Sequence, residues 1–171
     1  DPDVFGDGTA SAVVNNGTAA SIAIGAVASA VGTSFASANA SVEEGIDQDP
    51  DVFGTGVAAA SVLNDGLITL NALAFAQGSA ASASASASEL IDQDPDVFAD
   101  GTAIAVVVNN ATIVMAASAT ALGTGFASAD ASVSSAIDQD PDVFGDGNAI
   151  ALVSNGTAAT LDIGAVASAV A

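Results

Sequence analysis

Ile46-Asp47-Gln48-Asp49-Pro50-Asp51-Val52-Phe53 returns at 91–98 and at 137–144, and its last five residues open the chain at 1–5. Each copy alternates its acids as Asp-x-Asp-x-Asp, and a further acid follows at Asp7, Asp100 and Asp146. The copies are 48, 45 and 46 residues apart. A shorter period lies inside the long one. A Gly followed by a small or β-branched residue recurs at Gly8, Gly32, Gly56, Gly78, Gly101, Gly123 and Gly147, in steps of 24, 24, 22, 23, 22 and 24 residues. The chain therefore reads as a single repetitive domain, 1–171, of seven units in two alternating kinds.

Odd units place two alternating runs around an Asn-containing turn, as in Thr-Ala-Ser-Ala-Val-Val, Asn-Asn-Gly-Thr and Ala-Ala-Ser-Ile-Ala-Ile from 9 to 24. This is a strand–turn–strand pattern. In even units the acidic block forms the second arm. One face of the first odd-unit strand is constant: Ala10, Ala12, Val14; Ala58, Ala60, Val62; Ala103, Ala105, Val107; Ala149, Ala151, Val153. The opposite face varies and is still rather apolar. A period of two with one fixed face is the signature of a strand with one tightly packed side. Helix is the competing reading, since Ala favours it, but Ser and Thr interleave and Gly punctuates every unit.

Units of about 23 residues cannot bury a face alone, and stacked coils can. The expected fold is all-β, a β-solenoid of about seven strand–turn–strand coils of about 23 residues, stacked as in amyloid and rising roughly 34 Å in all. The chain starts inside a block and shows no polar cap. We read this as a processed start and as matched ends suited to end-to-end growth.

Composition narrows the function. The net charge is −20, with no Lys, Arg or His. Nucleic-acid binding rests on Lys and Arg contacts to phosphate and is excluded, and an anionic membrane surface is repelled. Membrane insertion is not expected: the uncharged runs are too poor in Leu, Ile and Phe for a spanning helix, and a barrel would need Tyr or Trp girdles. There is no Cys, so neither a disulfide nor a thiolate metal site exists. Without His, Cys, Lys or Tyr, a nucleophile has no base, and we assign no catalytic residue and no enzymatic activity.

The acids carry the one candidate site. Alternate carboxylates in a turn with Gly nearby suit calcium, a hard cation that takes oxygen ligands. The candidate ligands are Asp1, Asp3, Asp7, Asp47, Asp49, Asp51, Asp92, Asp94, Asp96, Asp100, Asp138, Asp140, Asp142 and Asp146, fourteen of the 20 acids. The block resembles the first half of an EF-hand loop but lacks the bidentate Glu at its twelfth position. The alternative is a solvated acidic turn that keeps the surface soluble. With even units two coils apart, equivalent acids would lie about 9.6 Å from each other and repel by only about 0.4 kcal/mol in water. Glycosylation sequons stand at Asn16, Asn39, Asn110 and Asn155, three of them at the odd-unit turn, where Asn-Gly-Thr is also good turn chemistry.

The units resemble the curlin repeats of bacterial functional amyloid in length, in strand–turn–strand form and in the placing of Gln, Gly, Asn and Ala. The nearest match is Gln139 followed by Gly147-Asn148-Ala149-Ile150-Ala151-Leu152, and Gln48 and Gln93 occupy equivalent places. The resemblance implies a secreted fibre of biofilm matrix, assembled from identical subunits. Our expectation is an extracellular, self-assembling filament whose partner is itself, stabilised by calcium. The alternative is a calcium-dependent adhesin or stalk module of a larger secreted protein. A flat ice-binding face is a weaker third reading, because regular outward Thr ranks are missing.

Overall fold

A computed structural model describes residues 2–171; Asp1 lies outside the described residues. The alternating runs all form strands. The first coil comprises β1 (Asp3–Val4), β2 (Gly8–Asn16), β3 (Ser21–Val31), β4 (Phe35–Val42) and β5 (Ile46–Gln48). The second comprises β6 (Asp51–Val52), β7 (Gly56–Asn64), β8 (Leu67–Gln77), β9 (Ala80–Ser88) and β10 (Ile91–Gln93). The third comprises β11 (Asp96–Val97), β12 (Gly101–Asn109), β13 (Thr112–Leu122), β14 (Phe126–Ser134) and β15 (Ile137–Gln139). The fourth contributes β16 (Asp142–Val143), β17 (Gly147–Asn155) and β18 (Thr160–Val170).

Equivalent strands of successive coils pair in parallel and build five sheets. In chain order these are sheet 1 (β1, β6, β11, β16), sheet 2 (β2, β7, β12, β17), sheet 3 (β3, β8, β13, β18), sheet 4 (β4, β9, β14) and sheet 5 (β5, β10, β15). The fold is an all-β solenoid, as the periodicity requires. Its coil is twice the expected size. Gly8 pairs with Gly56, not with Gly32, and Gly56 pairs with Gly101. One coil thus takes an odd and an even unit together, and the seven 23-residue units make four levels, roughly 19 Å high.

The physical reason lies in the buried amides. A 24-residue step would set Asn16 on Ala40 and Gln48 on Ala72. Each would leave a buried amide unpaired, at about 1–3 kcal/mol apiece. The like-on-like step sets Asn on Asn and Gln on Gln. It also puts a glycine column at Gly8, Gly56, Gly101 and Gly147, where a Cβ on Gly101 would run into the Gly56 carbonyl oxygen.

The coil is flattened into two layers. Sheet 3 faces sheet 4, and sheet 2 faces sheets 5 and 1. One layer is therefore sheets 2 and 3 in succession, and the other is sheets 4, 5 and 1. The turn between the two runs of an odd unit is a bend within a layer, not a hairpin: Asp65 and Gly66 alone link β7 to β8, and the inward parity continues from Asn64 to Ile68. The matching bend between sheets 4 and 5 uses left-handed backbone at Glu44, Glu89 and Ser135.

The constant face points inward, as read from the sequence: Ala58, Ala60, Val62, Ala103, Ala105 and Val107 are all buried. Ala fills most of the space between the layers, so they pack closely. The larger side chains gather near the bends, where Ile68, Leu70, Leu90, Ile91, Ile113 and Met115 are fully buried.

Candidate functional site

Stacking in register turns every residue of the acidic block into a column. Asp47, Asp92 and Asp138 are partners across sheet 5, and Asp3, Asp51, Asp96 and Asp142 across sheet 1. Between them the Asp94 and Asp140 amides donate to the Gln48 and Gln93 carbonyls of the preceding coil, both at 3.0 Å. This carries the Asp49, Asp94, Asp140 column along the same edge. Asp7, Asp100 and Asp146 sit past the turn. Asp7 accepts the Thr55 amide at 2.9 Å, and Asp100 accepts the Asp146 amide at 2.8 Å. These two carboxylates cap the turn of the next coil.

The acids of one block are spread rather than gathered. Residues two apart on extended backbone lie about 6.6 Å from each other, and Ile46, Gln48, Pro50 and Val52 between them are buried. Among the described residues no group of three or more acids converges so as to hold a metal ion. The block does not fit the closed shell of six to eight oxygens that a calcium loop supplies. Neighbouring coils are also one strand spacing apart, about 4.8 Å and not 9.6 Å, so each stacked pair repels by about 0.9 kcal/mol in water before screening.

Burial, with this crowding second, moves the acids. Burial, followed by the charges of Asp94, Asp51 and Asp142, pushes Asp96 up to about 6. Burial and then neighbouring carboxylates also raise Asp49, Asp51, Asp92 and Asp94. One carboxylate oxygen each of Asp51 and Asp96 is buried without a hydrogen-bond partner. The inner rungs of this column thus hold carboxyl groups that keep their proton to higher pH than a free carboxyl does.

Two further columns are paired along the stack and buried at Asn16, Asn64, Asn109, Gln48 and Gln93. The Asn16 side-chain amide donates to Asn64 Oδ1 at 2.7 Å, Asn64 to Asn109 at 2.8 Å, and Asn109 to Asn155 at 2.7 Å. The same amide groups donate to the Leu67, Thr112 and Thr160 carbonyls, and Asn64 and Asn109 also accept the Gly66 and Ala111 amides. Each inner Asn therefore fills its hydrogen-bonding capacity and fixes the bend between sheets 2 and 3. Gln139 donates to Gln93 at 2.7 Å and Gln93 to Gln48 at 2.8 Å, in the opposite sense along the stack.

The sequons separate on this frame. Asn16 is 3% exposed and its amide is committed to the ladder, so it is no glycan acceptor. Asn155 belongs to the same column, whereas Asn110 lies one residue later and donates to Asp65 at 2.9 Å. All three lie at the odd-unit bend, Asn16 and Asn155 at one register position and Asn110 one residue later. Asn39, Asn110 and Asn155 are exposed.

The chain matches no protein family, no curated protein and no solved structure.

One column escaped the sequence reading. Phe5, Phe53, Phe98 and Phe144 stack face to face, with ring centroids 4.8, 4.8 and 5.0 Å apart and planes within 6° of parallel. They stand outward at the arch between sheets 1 and 2, beside the Asp columns. The invariant Phe that closes every block was its signal. A groove of about 300 Å³ follows the other arch, along Gly32, Gly78 and Gly123 and the Thr33, Ser79 and Thr124 beside them. It holds no titratable group.

Proposed function

We propose that the protein is the structural subunit of an extracellular, self-assembling filament, a surface or matrix fibre in which coils of successive chains continue one stack. The observation that carries this reading is the rung itself. Successive coils lay Asn on Asn, Gln on Gln, Phe on Phe and Asp on Asp, so each coil is a template for the next. Parallel in-register strands with amide and aromatic ladders are the physics of cross-β assembly. The resemblance of the 23-residue units to curlin repeats supports the same reading, a secreted fibre whose partner is the chain itself, although one coil here takes two such units.

Calcium enters this proposal as a counter-ion shared between carboxylates of stacked coils, not as the occupant of a closed loop. The outward acids also support a second reading, a rigid stalk or adhesin segment that holds other domains apart. Electron microscopy of the purified chain in calcium, and again after chelation, separates the two. Filaments with a roughly 4.8 Å axial repeat are expected. Isolated particles in both conditions would reject the filament and leave the stalk.

A further inference from the structure

The two layers of the solenoid differ sharply in charge. Of the 20 acids, only Asp65 and Asp162 fall within the strands of sheets 2 and 3 or the bend between them. The outer face of the other layer carries the Asp columns on sheets 1 and 5 and a Ser-rich surface on sheet 4, where Ser82, Ser84, Ser86 and Ser88 alternate with buried Ala. The outer face of sheets 2 and 3 is apolar over much of its area. Val13 is 67% exposed, Leu73 44%, Ile150 45% and Leu152 51%, and Ile104 and Val106 lie between them, half-buried.

Strand lengths of nine and eleven residues over four levels give this face about 66 Å by 19 Å, or roughly 1,250 Å². A stable interface takes about 800 Å² from each partner. The face as a whole exceeds this extent, with Ser61, Thr69, Asn71 and Ser118 interspersed among its apolar side chains.

We propose that this layer is the contact surface for a second copy of the same chain, paired back to back about a two-fold axis. The occupant follows from charge and area. A basic partner would seek the Asp columns on the opposite side, because within the strands of this layer Asp162 alone offers a carboxylate. A second copy brings the same charge-poor surface and the same extent. Back-to-back pairing also keeps both acidic faces outermost, four layers apart, so two chains of charge −20 meet where their repulsion is least. Identical patches meeting across a two-fold make a closed, isologous contact. The pairing is lateral and goes beyond the axial stacking proposed above, since a single four-level chain already presents the whole face.

Sedimentation velocity of the wild-type chain, beside Val106→Asp and Ile150→Asp, tests it. Ser84→Asp, which adds the same charge to the opposite layer, is the control. Far-UV circular dichroism checks that each variant keeps its strands, and Val106→Ser serves if Val106→Asp does not. Wild type and Ser84→Asp are expected to run as pairs, with the dissociation constant raised at least about 100-fold in the face variants. Discrete pairs that never elongate would sink the filament and keep this contact. Filaments one solenoid wide would sink this contact and keep the filament. A wild-type chain that stays single at about 100 µM, or one that instead floats with phosphatidylcholine vesicles as single copies, overturns the pairing.

Discussion

At the scale of the residue, the buried amides discriminate most strongly among packings. Asn64 makes four hydrogen bonds, two given and two taken, inside a region otherwise filled by aliphatic side chains. Asn64→Leu strands the partners on both neighbouring rungs and should cost about 2–4 kcal/mol, a fall of roughly 5–15 °C in Tm by circular dichroism. An unchanged Tm would mean that the ladder contributes nothing net. The carboxyl ladder has the opposite sign. Asp96 has a folded pKa of about 6, above its unfolded value of 3.8, so the folded protein binds the proton more tightly. Its contribution to stability is full below about pH 3.8 and is lost as the pH rises through about 6. Urea midpoints should therefore rise as the pH is lowered across that window, and Asp96→Asn should flatten the slope and raise the midpoint at pH 7.5. A wild-type midpoint that falls between pH 6 and pH 4 would contradict the crowding of this column.

At the scale of the element, the bends set the shape of the coil. Glu44, Glu89 and Ser135 take left-handed backbone at φ values of 51°, 51° and 47° where sheet 4 passes into sheet 5. This conformation costs a residue with a Cβ about 1 kcal/mol or more, and the glutamates of neighbouring coils also repel. Glu89→Gly should relieve both and raise stability by about 0.5–1 kcal/mol after the added freedom of the unfolded chain. A chemical-denaturation series on the single variant reads this directly, and a loss of stability would show that the Glu side chain holds the bend.

At the scale of the whole molecule, one outer layer carries nearly all the charge, and its columns repeat at the strand spacing. Each stacked Asp pair contributes about 0.9 kcal/mol of repulsion in water, and salt screens it, with a Debye length of about 10 Å at 0.1 M and 3 Å at 1 M. Raising NaCl from 10 mM to 0.5 M should thus lift Tm by several degrees. Millimolar calcium should lift it further at equal ionic strength, without the saturation at one ion per block that a closed site would give. A Tm indifferent to both ions would remove the acids from the energetics of the stack.

Much of this was legible in the sequence, because local rules govern it. Period-two alternation fixed the strands and told the inward Ala10, Ala58 and Ala103 face from the variable one, since a pleated strand allows no other assignment. The spacing of the acidic blocks already contained the coil length, 45–48 residues. Only the tertiary structure chose it over the 23-residue unit, because the choice rests on which buried groups meet. Asn16 finds Asn64 at one step and would find Ala40 at the other, and no property of Asn16 alone decides between them. The same holds for the acids. Their alternate spacing suggested a gathered loop, but extended backbone spread them along the strand and stacking gathered each with its copies instead. Pairing between coils likewise set the four Phe rings face to face and left one broad outer face almost free of charge.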